Sequence, residues 1–486
     1  MIPEFIPNYV NGKMCPAESH QSFCKYDPHT GKTLTNVARS SEKDVEAAIG
    51  SAMEAQSAWS HLTAVARGDL MRAVALRMRE RAEEIAGIVA AETGKSQAQA
   101  LGETHAAIEM GFFVAGEGRR NYGKTTTASM ANRVVLSVRQ PLGIAALIIA
   151  ANTPIANVAW KAFPSMFCGN ASIMKPSEDT PATAWIFAQI CDEVGIPPGV
   201  FNVVQGIGKE AGGALVASPQ VDLISFTGSC ETGRLIQKVA APRLTKVCLE
   251  LGGKNALVVC DDADLDLAVN WVIQSAFSNS GQRCAAASRI IVFASIYDAF
   301  REKLVAATAK LRLGPADTDF TGPVINEASL TKILSAVRQA ETLGAVITCG
   351  GDRSKTPEHR NGYYVLPTII EEAKPDWPIS QNELFGPVTV LYRVRDFQEA
   401  IELANNSRYG LTACIHTASL HRAMRFAEEV QAGVVVVNGG THGSEPHMGF
   451  GGVKDSGTGW REAGTEALDV YSDWKYINLI SDPEKA

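Results

Sequence analysis

Cys284 has the clearest means in this chain of acting as a nucleophile. It lies in FSNSGQRCAAASR, where Ser, Asn, Gly and Gln precede the thiol and Arg283 adjoins it. Small polar neighbours leave a sulfur accessible, and a nearby cation lowers its pKa toward the reactive thiolate. One thiol among ten can equally be a small buried hydrophobe. Glu250, in CLELGGKN, ends an apolar run just before two glycines. A carboxylate in such a site has a raised pKa and serves as a general base, or else it closes a salt bridge at a strand end. Asn152 follows another apolar run in IIAANTPIANVAW, where a side-chain amide can donate to an oxyanion or satisfy backbone groups.

A second set of motifs suits a phosphate-bearing ligand. KPSE (Lys175 to Glu178) places a cation and an acid around a Pro-Ser turn; at the carboxyl end of a doubly wound strand such an acid accepts both ribose hydroxyls. QGIGKEAG (205 to 212) and FTGSCETG (226 to 233) put glycines and a hydroxyl at strand-to-helix turns, where backbone N–H groups can hold phosphate. The spacing of Gly206, Gly208 and Gly212 departs from the usual dinucleotide fingerprint.

These residues need elements to hold them. From Glu42 to Glu92 apolar residues recur three and four apart, which predicts two or three amphipathic helices. RVVLSVRQ (133 to 140) alternates like a half-buried strand, whereas GIAALIIAA (143 to 151) and ASIMK (171 to 175) are short apolar runs of the buried parallel kind. Helices at 180 to 194, 208 to 217 and 230 to 241 then alternate with VFNVVQG, DLISFTG and TKVCLELGG, a βαβαβ succession. A second α/β succession follows: ALVVC at 256, helix 264 to 279, strand 288 to 293, helices 295 to 311 and 327 to 343. Strands near 345 to 348, 363 to 370 and 388 to 394 and helix 396 to 406 complete it. The tail ALDVYSDWKYINLI alternates like an edge strand, and an exposed edge of that length calls for a partner.

With 486 residues and 46% hydrophobic composition, the chain can bury at least two cores, since one rarely extends beyond about 250–300 residues. The net charge of −7 is dispersed, leaving no electrostatic footprint for nucleic acid or an anionic membrane. The longest apolar run, Leu142 to Ala151, is about half a membrane span. MIPEFIPNYVNGKM has no basic region followed by an apolar core. The ten cysteines show neither CxxC pairs nor His/Cys ligand spacing, so no metal is expected, and a reducing cytoplasm is. A cleft between two α/β domains is the expected small-molecule site.

In order, the Asn-x-Pro after a strand, KPSE, FTGS, ELGG, GQRC, LFGP and FGGVKDSGTG (450 to 459) resemble the NAD(P)-dependent aldehyde dehydrogenase superfamily, from about residue 5 to the C-terminus. The resemblance implies an α/β fold with a Rossmann-type cofactor domain, an α/β catalytic domain and a small β oligomerisation extension. It divides the chain into 1–121 with 142–252 for the cofactor, 253–456 for catalysis, and 122–141 with 457–486 for the extension. Cys284 is then the nucleophile, Glu250 the general base, and Asn152 with the Cys284 backbone N–H the oxyanion hole; Lys161 and Glu462 match positions that assist proton relay. Lys175 and Glu178 hold the adenosine ribose, Ser229 the pyrophosphate, and Glu383 and Phe385 the nicotinamide ribose and ring, with Gly208, Phe226 and Gly228 also lining the cofactor. Glu178 points to NAD over NADP, because an acid at the ribose repels a 2′-phosphate. A homodimer or homotetramer follows from the same likeness.

Three positions depart from commoner members: Ala151 replaces an aromatic residue, Asn382 precedes Glu383 in place of a second Glu, and Gly449 stands where Pro is usual. Gln-Arg-Cys also occurs in coenzyme A-acylating relatives, but that group usually lacks the Glu of ELGG, and Glu250 is present. A non-catalytic binding protein on the same fold is the other alternative, against which the complete set of Cys284, Glu250 and Asn152 speaks. By analogy, His105 to Phe113, Trp160 and the loop NGGTHGSEPHM (438 to 448) line the substrate tunnel. His442, Glu445 and His447 in that loop point to a polar or semialdehyde-type substrate, and Arg283 either pairs with its carboxylate or turns away to the backbone.

Overall fold

The short apolar runs assemble into two seven-stranded sheets. In the computed structural model, which describes residues 2–485, five strands of the first sheet run parallel: Ile144–Ile148, Ala171–Lys175, Phe201–Val203, Leu223–Thr227 and Lys246–Glu250. Strand 144–148 is central, with 171–175 and then 201–203 on one side and 223–227 and then 246–250 on the other. The winding therefore reverses between 144–148 and 223–227, and a crevice opens outside the carboxyl ends of strands at such a point. Side chains alternate between two cores. Ala145 and Leu147 join the cluster of Phe163, Phe187 and Val74, while Ile144, Ala146 and Ile148 pack with Val45, Leu215 and Ile236 on the opposite face. Helices cover both faces, which explains strands with no polar alternation.

The second sheet runs 346–349, 368–371, 388–394, 287–293, 255–259, 412–416, 434–437, with only strand Val346–Cys349 antiparallel to its neighbour. It too separates two cores, Ala256 and Val258 facing one and Leu257 and Val259 the other. A third, smaller sheet forms where Ser472–Ile480 pairs antiparallel with Arg133–Pro141 over nine residues, with Thr125–Thr126 on the far side. This is the α/β architecture of a Rossmann-like sheet, a catalytic sheet and a β extension.

The helices of the 42–92 stretch agree with the sequence reading, and several other elements differ from it. The 42–92 stretch is three helices, Glu42–His61, Ala64–Glu80 and Ala82–Thr93, the last ended by left-handed Gly94. Residues 363–367 do not join the ladder; pairing begins at Thr368, just after Pro367, which has no N–H to give. The tail starts as a helical turn, Ala467–Tyr471, before the strand. The 208–217 helix opens with a π-helical turn, Gly208–Gly212. Helices Gln97–Gly116 and Pro154–Phe167, the short strands of the first forty residues, and the unit Thr412–His416, Leu420–Glu429 and Val434–Val437 are further elements.

Candidate active site

Cys284 sits in the connection between helix Leu265–Phe277 and strand Ala287–Phe293, after a turn in which Asn279, Ser280 and Gly281 all take positive φ. Such a turn holds only when its polar groups are engaged from outside. Asn255 Nδ2 donates to the carbonyls of Cys284 (2.8 Å) and Ala286 (2.9 Å). Thr441 Oγ1 donates to the Ala285 carbonyl at 2.6 Å, and Gln282 Oε1 accepts from the Ile325 N–H at 2.9 Å. A Cβ at Gly253 would lie 2.7 Å from the Cys284 carbonyl oxygen, so this glycine lets two loops approach closely. Asn255, ordinary in sequence, is the anchor that the motif reading missed.

The thiol is not pre-ionised, contrary to the expectation from Arg283. Burial pushes Cys284 up to about 12, Glu383 and Glu250 push the same way, and the Ala285 N–H and Arg283 oppose them without prevailing. A thiol in low dielectric beside carboxylates keeps its proton until a base takes it.

Glu250 ends strand Lys246–Glu250 beneath the FGG segment, where a Cβ on Gly451 would come within 2.7 Å of its Oε1. Both carboxylate oxygens are buried and without a hydrogen-bond partner. Burial, and then the charge of Glu462, raise its pKa well above the usual carboxylate range, against Lys161 and Arg461. Lys161, on helix Pro154–Phe167, is fully buried; it is paired with Glu462 and donates to Ser225 Oγ at 2.8 Å. Ser225 donates to Glu462 Oε1 (3.1 Å) and accepts from the Tyr471 hydroxyl (3.0 Å). Glu250, Lys161 and Glu462 are thus brought together, with Ser225 and Tyr471 as unforeseen members. A Ser inside an apolar strand and a Tyr in an alternating tail carry no mark of such a role in sequence.

Asn152 lies just beyond strand Ile144–Ile148. Its Oδ1 accepts from Asn157 (3.4 Å), which turns its NH2 the other way; its carbonyl accepts from Lys95 Nζ (2.9 Å) and from Asn279 Nδ2 (3.2 Å), tying it to the Cys284 turn. Lys95 also pairs with Glu103 at 2.6 Å. Glu103 in turn accepts from the Ile155 N–H (3.0 Å), an acid at the positive end of helix Pro154–Phe167.

The remaining candidates follow the carboxyl edge of the first sheet. Lys175 Nζ lies 3.4 Å from Glu178 Oε2, and the Gly208 N–H donates to Glu178 Oε1 at 2.6 Å. Burial works against the Glu178 charge, but Lys175 and the N–H donors outweigh it and hold the carboxyl below its usual range. Ser229 caps helix Cys230–Ala240 by accepting from the Thr232 N–H at 3.2 Å. A Cβ on Gly228 would collide with the Phe226 ring, and one on Gly252 with the Glu383 carboxylate. Thr227 Oγ1 is buried without a partner. Glu383 accepts from the Gly253 N–H at 3.1 Å and is pushed up to about 7 by burial; Phe385 follows at positive φ. A dinucleotide fits this chemistry: an ionised acid for ribose hydroxyls, a capped helix N-terminus for pyrophosphate, and an unpartnered buried hydroxyl beside Gly228, which has no room for a side chain.

Residues 15–477 match the model of the aldehyde dehydrogenase family. The chain belongs to the aldehyde dehydrogenase family. It is similar to an alpha-ketoglutaric semialdehyde dehydrogenase of Bacillus subtilis, 35% identical over 97% of each chain. It is also similar to a 2-aminomuconic semialdehyde dehydrogenase of Homo sapiens, 36% identical over 98% of each. The crystal structure of betaine aldehyde dehydrogenase from Staphylococcus aureus, in complex with NAD+, superposes with a TM-score of 0.96 at 33% identity, covering 98% of this chain and 95% of that one.

In this aldehyde dehydrogenase Arg283, next to Cys284 in the chain, lies near enough to His442 for its charge to act on the ring. Arg283 Nε and His442 Nδ1 are both buried without partners. Burial, with Arg283 adding to it, pushes His442 down to about 4, so the imidazole stays neutral. Glu103 supports the Arg283 charge against burial. Trp271 meets His442 edge-on at 6.5 Å, and Trp160 meets Phe450 at 5.6 Å. Glu445 and His447 are exposed and lie 3.5 Å from each other. Of the three polar loop residues, His442 alone turns inward.

Proposed function

We propose that the protein oxidises a carboxylate-bearing aldehyde, a semialdehyde, to the dicarboxylate with NAD. The observation that carries the reading is the pair formed by Cys284 and Glu250: the carboxylate is buried without a hydrogen-bond partner, and its charge acts on the thiol. As substrate enters, the Cys284 thiol loses its proton to solvent and its sulfur bonds to the carbonyl carbon; the Asn152 amide and the Cys284 N–H receive the oxyanion. When bound, the nicotinamide cofactor supplies the acceptor for the hydride that the carbon loses. The carbonyl then re-forms as a thioester on Cys284. Glu250 takes a proton from water as the oxygen adds to that carbonyl, and when the C–S bond breaks Glu250 returns that proton to the sulfur, releasing the acid and the thiol. An oxygen-only base with no competing partner suits water as the second nucleophile better than the thiol of coenzyme A.

Lys175 and Glu178 take the adenosine ribose, Gly208, Phe226, Gly228 and Ser229 border the pyrophosphate, and Glu383 and Phe385 the nicotinamide end. The ionised Glu178 sets NAD ahead of NADP by repulsion of a 2′-phosphate. Arg283 receives the distal carboxylate, and the semialdehydes named for two relatives support that choice. Residues 1–121 with 142–252 serve the cofactor and 253–456 the chemistry. The extension, 122–141 with 457–486, joins subunits of a homodimer or homotetramer through the edge strand exposing Tyr476, Leu479 and Ile480. All ten cysteines are unpaired, which suits the cytoplasm.

The test is NADH formation over a panel of aliphatic, aromatic, amino- and carboxy-aldehydes, with NADP and coenzyme A in parallel and Cys284→Ser as control. Cysteine-dependent oxidation of carboxy-aldehydes with NAD alone is the expected result. Activity that survives Cys284→Ser, or that requires coenzyme A, overturns the reading.

A further inference from the structure

We infer that Tyr471 and Ser225 are positioning residues for the base: their hydroxyls decide which of two buried carboxyls, Glu250 or Glu462, carries the charge that Lys161 balances. The inference rests on the reading of Glu250 as the base.

One buried ammonium faces two buried carboxyls, with Lys161, Glu462 and Glu250 exposed by 0%, 3% and 5%. Low dielectric does not tolerate the unbalanced second anion, so the negative charge goes to the better-solvated carboxyl. Donors make the difference. Glu462 Oε1 accepts from Lys161 and from Ser225, whereas neither Glu250 oxygen accepts from anything.

Ser225 has one hydrogen and two lone pairs. Lys161 Nζ, at 2.8 Å, and Tyr471 Oη, at 3.0 Å, donate onto it, which fills both lone pairs and leaves its hydrogen for Glu462. Tyr471 is a dependable donor because burial, and then the charge of Glu462, keep its phenol protonated. Its place is set from the backbone: Asn170 Nδ2 donates to the Tyr471 carbonyl at 2.7 Å, and Lys246 Nζ grips the Asp469 and Ser472 carbonyls at 2.6 and 3.0 Å. Tyr471 stands where the extension strand Ser472–Ile480 begins, so the root of that strand is tied to the acid–base cluster. The other titratable or charged groups facing Glu250 are Arg461, Cys248 on its own strand and Cys284. None of these donates to Glu462.

Without the Tyr471 hydroxyl, Ser225 is free to turn its hydrogen away. Glu462 then loses a donor that holds the charge on it, and Lys161 is left to balance a charge on Glu250. Glu250 becomes a stronger acid and a weaker base. The acidic limb of thioester hydrolysis in Tyr471→Phe therefore moves to lower pH by about one unit, and the plateau kcat falls about 5- to 10-fold, as expected for a weaker base. Ser225→Ala does the same, and Tyr471→Phe adds no further shift in the Ser225→Ala background, because one residue acts through the other.

The experiment is the pH profile of kcat for the two single variants and the double variant, with the pre-steady-state NADH burst establishing that hydrolysis limits the rate. A merely structural role lowers the rate but leaves the midpoint in place. Unmoved midpoints in the singles, or shifts that add in the double, overturn the inference. If Tyr471→Phe does not fold, the midpoint of Ser225→Ala decides alone. Failure of the underlying reading is seen separately, as Glu250→Gln losing its burst; a normal Glu250→Gln burst with unmoved midpoints in the other variants counts against Tyr471 and Ser225 only.

Discussion

Replacing Glu250 by Gln should divide turnover into a half that persists and a half that nearly stops. Gln has the same shape, and the carboxylate it replaces has no hydrogen-bond partner to lose. An amide buried there without partners costs about 1–3 kcal/mol, offset in part because the repulsion from Glu462 disappears. The variant should therefore fold, with a Tm within a few degrees of the parent. Loss of a positioned general base slows a step by about 10²–10⁴-fold, or roughly 3–5 kcal/mol of barrier at about 1.4 kcal/mol per decade. The affected step is thioester hydrolysis. In stopped flow, Glu250→Gln should give a burst of one NADH per subunit and then a steady rate lower by that factor, with intact mass showing the acyl group on Cys284. The pH dependence follows from the same protonation. The Glu250 pKa is raised, so the base form is present above that value, and parental hydrolysis declines as pH falls through it, well above the ordinary carboxylate range. Glu250→Gln should lack this limb. A steady rate within threefold of the parent, or loss of the burst together with the steady rate, would refute the assignment of Glu250 to water activation.

Arg283→Ala should raise KM for a carboxy-aldehyde about 10- to 100-fold, the range for a lost hydrogen bond to a charged group, and leave a neutral aldehyde of equal length nearly unaffected; equal effects on both would sink the anchor role. Iodoacetamide should label Cys284 in the apoprotein at pH 8 more slowly than exposed Cys24, and Glu383→Gln should accelerate labelling of Cys284 about tenfold. The sign follows because removing a carboxylate lowers the thiol pKa and enlarges its thiolate fraction; unchanged or slower labelling contradicts it. Glu178→Gln should raise the NADP/NAD ratio of kcat/KM at least tenfold, and a constant ratio would remove electrostatic repulsion as the basis of cofactor choice. Ile480→Lys on the extension edge should lower the sedimentation coefficient toward that of a monomer; an unchanged value places the subunit contact elsewhere.

Motif order was enough to read the family and to single out Cys284, Glu250 and Asn152 as candidates, because those signals are local: a residue type, its glycine neighbours and an apolar run before it. The parallel strands were legible for the same reason, since burial on both faces writes itself as an unbroken apolar stretch. Protonation states were not legible. Arg283 adjoins Cys284 in sequence and suggests a thiolate, but desolvation is a sum over every atom that excludes water, and Glu383, ninety-nine residues on, outweighs the neighbour in the chain. Side-chain direction was equally hidden. His442 turns inward while Glu445 and His447, a few residues away in one loop, face solvent, and the Trp271 ring that meets His442 edge-on comes from another segment. Ser225 and Tyr471 read as strand and tail residues, and 246 positions separate them. They became neighbours because the chain returns across the first sheet before forming the extension, and only that return places a phenol within hydrogen-bond reach of the buried cluster.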